Sequence, residues 1–333
     1  MKQPTIVDVA ERAGVSKSLV SLVMRDSPRV SDKSRDAVLE AARELGYRPN
    51  AVARSLVRQR SGVLGCILSD LHNPFFSDVA DGIEDAAVAN GYRALLSAGF
   101  LDAKREANAV DTLLQLQTDG LIILGPMMKI AAIKESARHI PVVVIGRKTN
   151  AKMMDSVRND DNAGAQAVVD HLVDLGHRKI AHIHAGKAGG ARGRRHGYET
   201  AMKRHGLGNE VRSVKGDFTE VGGSAAMRSI LATDDLPTAV FVANDFAAIG
   251  ALEEIDQAGL RVPEDLSVVG YDDTFLSHNS RIALTTVAQP SAEMGRTAVQ
   301  LLMERIKEGR SDPRHIVLPP RLVVRRTSAP PRR

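Results

Sequence analysis

From residue 62 onward the chain alternates short, unbroken apolar runs with amphipathic stretches of helical period, and this pattern restricts the fold more than any other feature. Runs such as Gly62-Val63-Leu64-Gly65-Cys66-Ile67-Leu68 and Gly120-Leu121-Ile122-Ile123-Leu124 lack the polar alternation of a half-exposed strand, so both faces of each strand must be covered. A parallel sheet with helices on both sides meets that demand. Ala94-Leu95-Leu96 and Val142-Val143-Val144-Ile145 complete a first set of strands. A second set falls at Ile180 to Ile183, Val211 to Val214, Ala239 to Val242 and Ser267 to Gly270, with helices predicted near 162–176, 192–206, 221–233 and 244–258. Two doubly wound halves follow. Such sheets bind ligands beyond the carboxyl ends of their strands, so the expected pocket is a cleft between the halves.

The first sixty residues break this pattern. They hold 12 Lys+Arg against 7 Asp+Glu, while the rest of the chain holds 33 of each, so the whole formal excess of +5 lies there. Residues 321–333 add five Arg and no acid, which leaves 61–320 with 28 bases against 33 acids. A basic module suits a polyanion, because Lys and Arg gain affinity by releasing counterions from phosphates, although a solvated helical surface carries the same charge. Thr5-Ile6-Val7-Asp8 reads as a capping box opening a helix over Ile6 to Ala13, which Gly14 ends. Ser16 can cap a second helix from Lys17 to about Arg25, and Ser31 a third from Asp32 to Leu45, stopped by Gly46. Ile6, Val9, Ala10, Ala13, Val15, Val20 and Val23 form one apolar face across the first two helices and their tight turn.

This is a helix-turn-helix pattern, shared in outline with tri-helical protein-interaction domains. Lys17, Ser18, Ser21, Leu22 and Arg25 are left facing out on the second helix, whose start enters the major groove in such motifs. Lys17 can donate to guanine, Ser18 to either groove-edge partner, and Leu22 can touch a thymine methyl. Thr5, Ser16, Ser21, Arg25, Arg29 and Ser31 complete the DNA-facing set, the last five placed to meet phosphates.

Other classes find little support. No apolar run approaches the roughly 20 residues of a membrane span, and the N-terminus lacks the apolar core of a secretory signal, so a cytoplasmic protein with no membrane partner is expected. The lone Cys66 excludes an internal disulfide framework and a cysteine-built zinc site, and inside an apolar strand it reads as inert. With no Trp, four Tyr and seven Phe, single-strand binding by aromatic stacking is not expected. The phosphate-loop and nucleophile-elbow motifs are absent. His182 and His184 stand two apart on a predicted strand, a spacing that can chelate metal, yet no acid or Cys joins them and core histidines are the favoured reading. The expectation is a non-enzyme without catalytic residues, metal or cofactor.

Tyr47-Arg48-Pro49-Asn50 interrupts the head, and Ala51 to Leu56 is too short to be a stable helix alone, so on physics this segment reads as a linker. At this point the chain closely resembles the lactose-repressor (LacI/GalR) family of bacterial transcription regulators, over nearly its whole length. TIVDVAERAGVSKSLVSLVM matches that family's head, ELGYRPNAVARSL its hinge, and VPEDLSVVG, SVVGYDDT and LTTVAQP its core. The resemblance reverses the linker reading. It implies a hinge helix in the minor groove when two protomers meet on an operator, with Asn50 and Ala53 at the DNA and Leu56 as an apolar wedge that kinks it. Many members carry Arg on the recognition helix where this chain has Leu22, which gives it a base-reading pair of its own in Lys17-Ser18.

The implied fold is a small all-α helix-turn-helix head plus an α/β bilobal core of two doubly wound parallel-sheet subdomains, like periplasmic binding proteins. Its boundaries are 1–49 for the head, 50–60 for hinge and linker, 61–328 for the core and 329–333 for a tail. Within the core, 61–160 with 290–320 form one subdomain and 161–288 with 321–328 the other. The tail is too short and Pro-rich for a tetramerising heptad helix, so a homodimer on a roughly palindromic double-stranded operator is expected. Polar residues at the strand ends, Asn244-Asp245, Asp272-Asp273 and Arg194, suit a polyhydroxylated ligand, with Phe75, Phe76, Phe218 and Tyr271 as platforms. For each acid the alternative is helix capping, the role read for Asp160-Asp161-Asn162. The resemblance aligns Arg194, Asn244 and Asp272 with the family's effector contacts, and Phe218 and Gln289 with secondary ones. The implied effector is a sugar or sugar derivative acting as inducer or corepressor. A solute-binding protein of the same fold is the alternative, and residues 1–60 argue against it.

The charge division makes a testable difference between the two activities. Between roughly 50 and 200 mM salt, operator affinity in gel shifts should fall steeply while effector affinity by calorimetry hardly moves; equal slopes would count against a basic reading head.

Overall fold

The computed structural model describes residues 4–25, 27–47, 60–186 and 189–332, and the chain divides into units of residues 1–61 and 62–333. The first unit contains α1 (Ile6–Ala13), α2 (Lys17–Val23) and α3 (Asp32–Leu45). The capping box is formed: the Asp8 carboxylate accepts from the Thr5 amide at 2.6 Å, and the Thr5 hydroxyl oxygen accepts from the Asp8 amide at 3.5 Å. Gly14, at φ +66°, makes the tight turn in the left-handed region and returns its amide to the Ala10 and Glu11 carbonyls. Val9, Ala10, Val20, Val23, Val30, Val38, Ala41 and Ala42 form the core, with Ile6, Ala13 and Val15 packed at its edge. α2 stops at Val23, short of the Arg25 expected, because the chain closes there with the Ser27 amide on the Leu22 carbonyl. Asn50, Ala53 and Leu56 of the hinge lie outside the described residues.

The second unit opens with β1 (Val63–Leu68), α4 (Pro74–Ala89), β2 (Arg93–Ala98), α5 (Ala103–Gln115), β3 (Gly120–Leu124), α6 (Ile130–Ser136), β4 (Val142–Ile145) and β5 (Asp155–Asn159). It continues through α7 (Asp161–Asp174), β6 (Ile180–His184), α8 (Ala191–Arg204), β7 (Arg212–Lys215), α9 (Glu220–Leu231), β8 (Ala239–Val242), α10 (Asp245–Gln257) and β9 (Ser267–Val269). The last elements are α11 (Phe275–His278), β10 (Thr286–Ala288), α12 (Ser291–Glu308), β11 (His315–Leu318) and β12 (Arg321–Val323). One six-stranded sheet runs β11-β5-β4-β3-β1-β2 and one four-stranded sheet β7-β6-β8-β9, both parallel throughout. The chain passes between these two lobes after β5, β10 and β11, and β10 pairs antiparallel with β12.

The sequence pattern misses β5, because Asp155-Ser156-Val157-Arg158-Asn159 is polar where an inner strand should be apolar. Its burial is made possible by ion pairs. Asp155, 0% exposed, accepts from Arg305 Nε and Arg310 Nη2, each at 2.7 Å, and from the Arg314 amide at 2.8 Å. Burial pushes this carboxyl up, but those donors outweigh it and hold it below its ordinary value. The sequence pattern does not mark β10, β11 or β12 either, strands of only three or four residues, nor α12. Residues 329–332 are anchored to the second lobe: the Ala329 carbonyl accepts from His177 Nε2 at 2.9 Å, and Arg332 pairs with Asp265 at 2.8 Å.

Cys66 is buried, and burial pushes its thiol up to about 12. His182 stacks on Phe241 at 4.5 Å with Nδ1 on the Phe241 carbonyl at 2.9 Å, and burial holds it down at about 3, so the ring stays neutral. Among the described residues no group of three or more His, Cys, Asp or Glu could hold a metal, and no helix is long and apolar enough to cross a membrane.

α4 and α12 cross with their backbones in contact. A side-chain carbon at Gly82 would collide with the Ala292 backbone, and one at Gly295 with Val79 and Ile83. Gly82→Ala should therefore destabilise the core by about 1–3 kcal/mol in urea denaturation, despite the better helix propensity of Ala.

Candidate ligand cleft and nucleic-acid interface

The carboxyl ends of both sheets face one cleft, about 640 Å³ when the part open to solvent is included. The first lobe lines it mainly with apolar groups, Phe75, Phe76, Leu101, Leu124 and Met127, together with Asp70 and Asn73. Asn73 caps α4 by accepting from the Phe75 amide at 3.0 Å, and Pro74 opens the helix, which aims the two phenyl rings into the cleft edge to face at 5.6 Å. The second lobe supplies the polar wall: Asp161, Arg194, Asn244, Asp272 and Gln289, with Phe218 beside them.

Arg194 is the hub of that wall. It is 5% exposed, and its Nε donates to Asp161 at 3.0 Å, Nη1 to the Ala243 carbonyl, and Nη2 faces Asp272 at 3.5 Å. The guanidinium carbon lies 3.8 Å from the Tyr271 ring centroid and 5.5 Å from that of Phe218. Burial disfavours its charge, but Asp161 and Asp272 outweigh that and raise its pKa. Asn244 combines two roles that the sequence set against each other. Its Oδ1 caps α10 by accepting from the Ala247 amide at 2.9 Å, and its Nδ2 donates to the Phe218 carbonyl at 3.2 Å.

Each acid pair divides its work. Asp272, at φ +117°, turns into the cleft and accepts from Gln289 Nε2 at 2.6 Å, while Asp273 turns away to Arg325 at 2.5 Å and His278 at 3.1 Å. Asp245 is 0% exposed behind Asn244, where it accepts from the Thr274 amide at 2.8 Å and the Thr286 hydroxyl at 2.5 Å. Burial raises both Asp245 and Asp272 above the ordinary carboxyl range; the Asp272 charge adds to the rise at Asp245, and Arg194 opposes it at Asp272.

Two sequence readings are corrected here. Tyr271 is no ligand platform: it is fully buried beneath Arg194 with its hydroxyl on Asn159 Nδ2 at 2.6 Å. Asp161 is not a cap of its own helix, since Asp160 caps α7 on the Ala163 amide at 3.1 Å and leaves Asp161 to pair with Arg194. Asp70, Asn73 and Asn159 were missed, although Asp70 and Asn73 follow β1 and Asn159 ends β5, at the same carboxyl edge that marked the others.

In the head, Lys17 and Ser18 are exposed on the first turn of α2, and Ser16 caps that helix on the Leu19 amide at 3.2 Å. Ser31 caps α3, and Thr5 commits its hydroxyl to Asp8 at 2.8 Å. Leu22 is half-buried against the head core and does not face fully out as expected. Arg25 folds back onto the Ser21 hydroxyl at 2.6 Å, and Arg29 is exposed.

A helix-turn-helix unit and a bilobal ligand-binding core on one chain define a transcription regulator of the periplasmic-binding-protein type. Residues 5–50 match the family model for bacterial regulatory proteins of the lacI family, and residues 169–328 that for a periplasmic binding protein-like domain. The ribose operon repressor of Haemophilus influenzae is 36% identical over 323 residues, covering 96% of this chain and 97% of that protein. A solved lac repressor dimer bound to operator and the anti-inducer ONPF is similar with a TM-score of 0.87 and 32% identity, covering 98% of this chain and 100% of that one. A LacI-family regulator from Enterococcus faecium with bound ribose matches with a TM-score of 0.74 and 29% identity over 80% of this chain and 99% of its own. The chain belongs to the LacI family of DNA-binding transcriptional regulators.

Removing the hub should be costly. Arg194→Ala strands Asp161 and Asp272 without their cation, and denaturation should show a loss of about 3–5 kcal/mol.

Proposed function

We propose that two copies of this chain bind a roughly palindromic operator as a cytoplasmic repressor, and that a small polyhydroxylated molecule held between the core lobes sets the DNA affinity. The observation that carries this is one chain bearing both an exposed Lys17-Ser18 pair at the start of a capped second helix and a cleft walled by Arg194, Asn244 and Asp272. The ribose in the Enterococcus faecium relative and the operator in the lac repressor dimer support it. In this reading Lys17, Ser18 and Leu22 meet base edges, and Ser16, Ser21, Arg25, Arg29 and Ser31 meet phosphates, with Thr5 holding the first turn. Asn50, Ala53 and Leu56 contact the minor groove, within a hinge of residues 50–60 between the head and the core. Phe75, Phe76, Arg194, Phe218, Asn244, Asp272 and Gln289 hold the effector. The ligand acts by binding one arrangement of the two lobes better than another, a difference of about 1–3 kcal/mol in such systems. The protein's work is recognition and not catalysis.

A site selected from randomised palindromes gives the test. Lys17→Ala should weaken that site in gel shifts by about 1–3 kcal/mol and relax preference at one base pair per half-site, with cleft affinity unchanged. Failure to select any site from the pool would sink the reading.

A further inference from the structure

We propose that the effector is an uncharged polyhydroxylated ring, that one of its hydroxyls donates to Asn159, and that phosphorylated or carboxylated ligands are rejected. The inference rests on the cleft's being the effector site and names what that site can accept. Asn159 is 1% exposed and lines the cleft. Its Nδ2 is committed to the Tyr271 hydroxyl at 2.6 Å, while its Oδ1 has no hydrogen-bond partner among the described residues. A buried acceptor left unpaired costs free energy, so the group that fills the cleft must bring a donor to it.

The charges point the same way. Among the described residues three acids, Asp70, Asp161 and Asp272, line the cleft against one guanidinium, that of Arg194. That cation is already paired with Asp161 and faces Asp272, and its Nη1 is taken by the Ala243 carbonyl. Helix N-termini are the usual alternative seats for a phosphate or carboxylate. At three helix starts beside this cleft the protein's own side chains already take that place. Asn73 accepts from the Phe75 amide at the start of α4, Asp160 from the Ala163 amide at α7, and Asn244 from the Ala247 amide at α10. At α8 the Asp161 carboxylate lies against Gly190, where a side-chain carbon would collide with both of its oxygens. An anionic ligand therefore meets a cation already paired, capped helix starts at α4, α7 and α10, and more acids than cations among the described residues. A polyol meets acceptors that its hydroxyls can satisfy, while Phe75 and Phe76 cover its apolar face.

Calorimetry of the full chain with neutral pentoses and hexoses, their monophosphates and their sugar acids tests this. A neutral sugar should bind, with its phosphorylated and acid counterparts at least about 100-fold weaker, as expected for like charges brought together in a cleft. In Asn159→Ala the neutral binder should lose about tenfold, and one monodeoxy analogue should bind the variant and the unaltered protein equally, a pattern that a general loss of structure does not produce. A phosphate or acid that binds as tightly as its neutral parent overturns the inference alone, and so does an equal loss for every deoxy analogue. No binder in any class overturns it together with the small-molecule reading, while the operator gel shift still reports on DNA recognition.

Discussion

The Arg194 guanidinium is the interaction on which the functional half of this core depends, because it gathers groups from three parts of the chain. It joins Asp161 at the start of α7, the Ala243 carbonyl after β8, and Tyr271 and Asp272 after β9. A buried cation is tolerated only where its charge is compensated and its donors are used, so each of these partners is held in place by the same requirement. The polar wall of the cleft is thus the visible edge of a buried network. Behind it, Asp245 ties Thr274 and Thr286 to the start of α10, and Asp273 ties Arg325 to α11.

The two lobes line the cleft with different chemistry. The first offers phenyl rings and aliphatic side chains, set at a helix start by Asn73 and Pro74; the second offers carboxylates, amides and the paired guanidinium. A ligand bridging them would meet apolar side chains on one side and polar groups on the other. Relative movement of the lobes then changes both sets of contacts at once, which is how a small molecule can favour one arrangement of a protein over another. The three crossings of the chain, after β5, β10 and β11, are where such movement must be accommodated.

Much of the site was legible because strand ends in parallel sheets are predictable. Asn244 and Asp272 follow apolar runs that can only be inner strands, and the structure brings both to the cleft with Arg194, Phe218 and Gln289. What escaped was set by partners distant in sequence. Asp155 reads as a loop residue until Arg305 and Arg310, 150 and 155 positions away, neutralise it inside the sheet. Asp161 reads as a cap, and only the proximity of Arg194 separates its role from that of Asp160. Tyr271 reads as an exposed platform because no local pattern reveals that a guanidinium lies over it.

By itself the sequence determined the local elements: the capped helices of the head, the glycine turn at Gly14, the inner strands and the basic charge of the first sixty residues. These follow from short-range rules of capping, backbone freedom and apolar period, which need no knowledge of the rest of the chain. Only the tertiary structure decided which polar side chains are used up within the fold and which remain for a ligand. That distinction depends on burial and on hydrogen-bond partners far apart in sequence, as the paired Arg194 and the unpaired Oδ1 of Asn159 show.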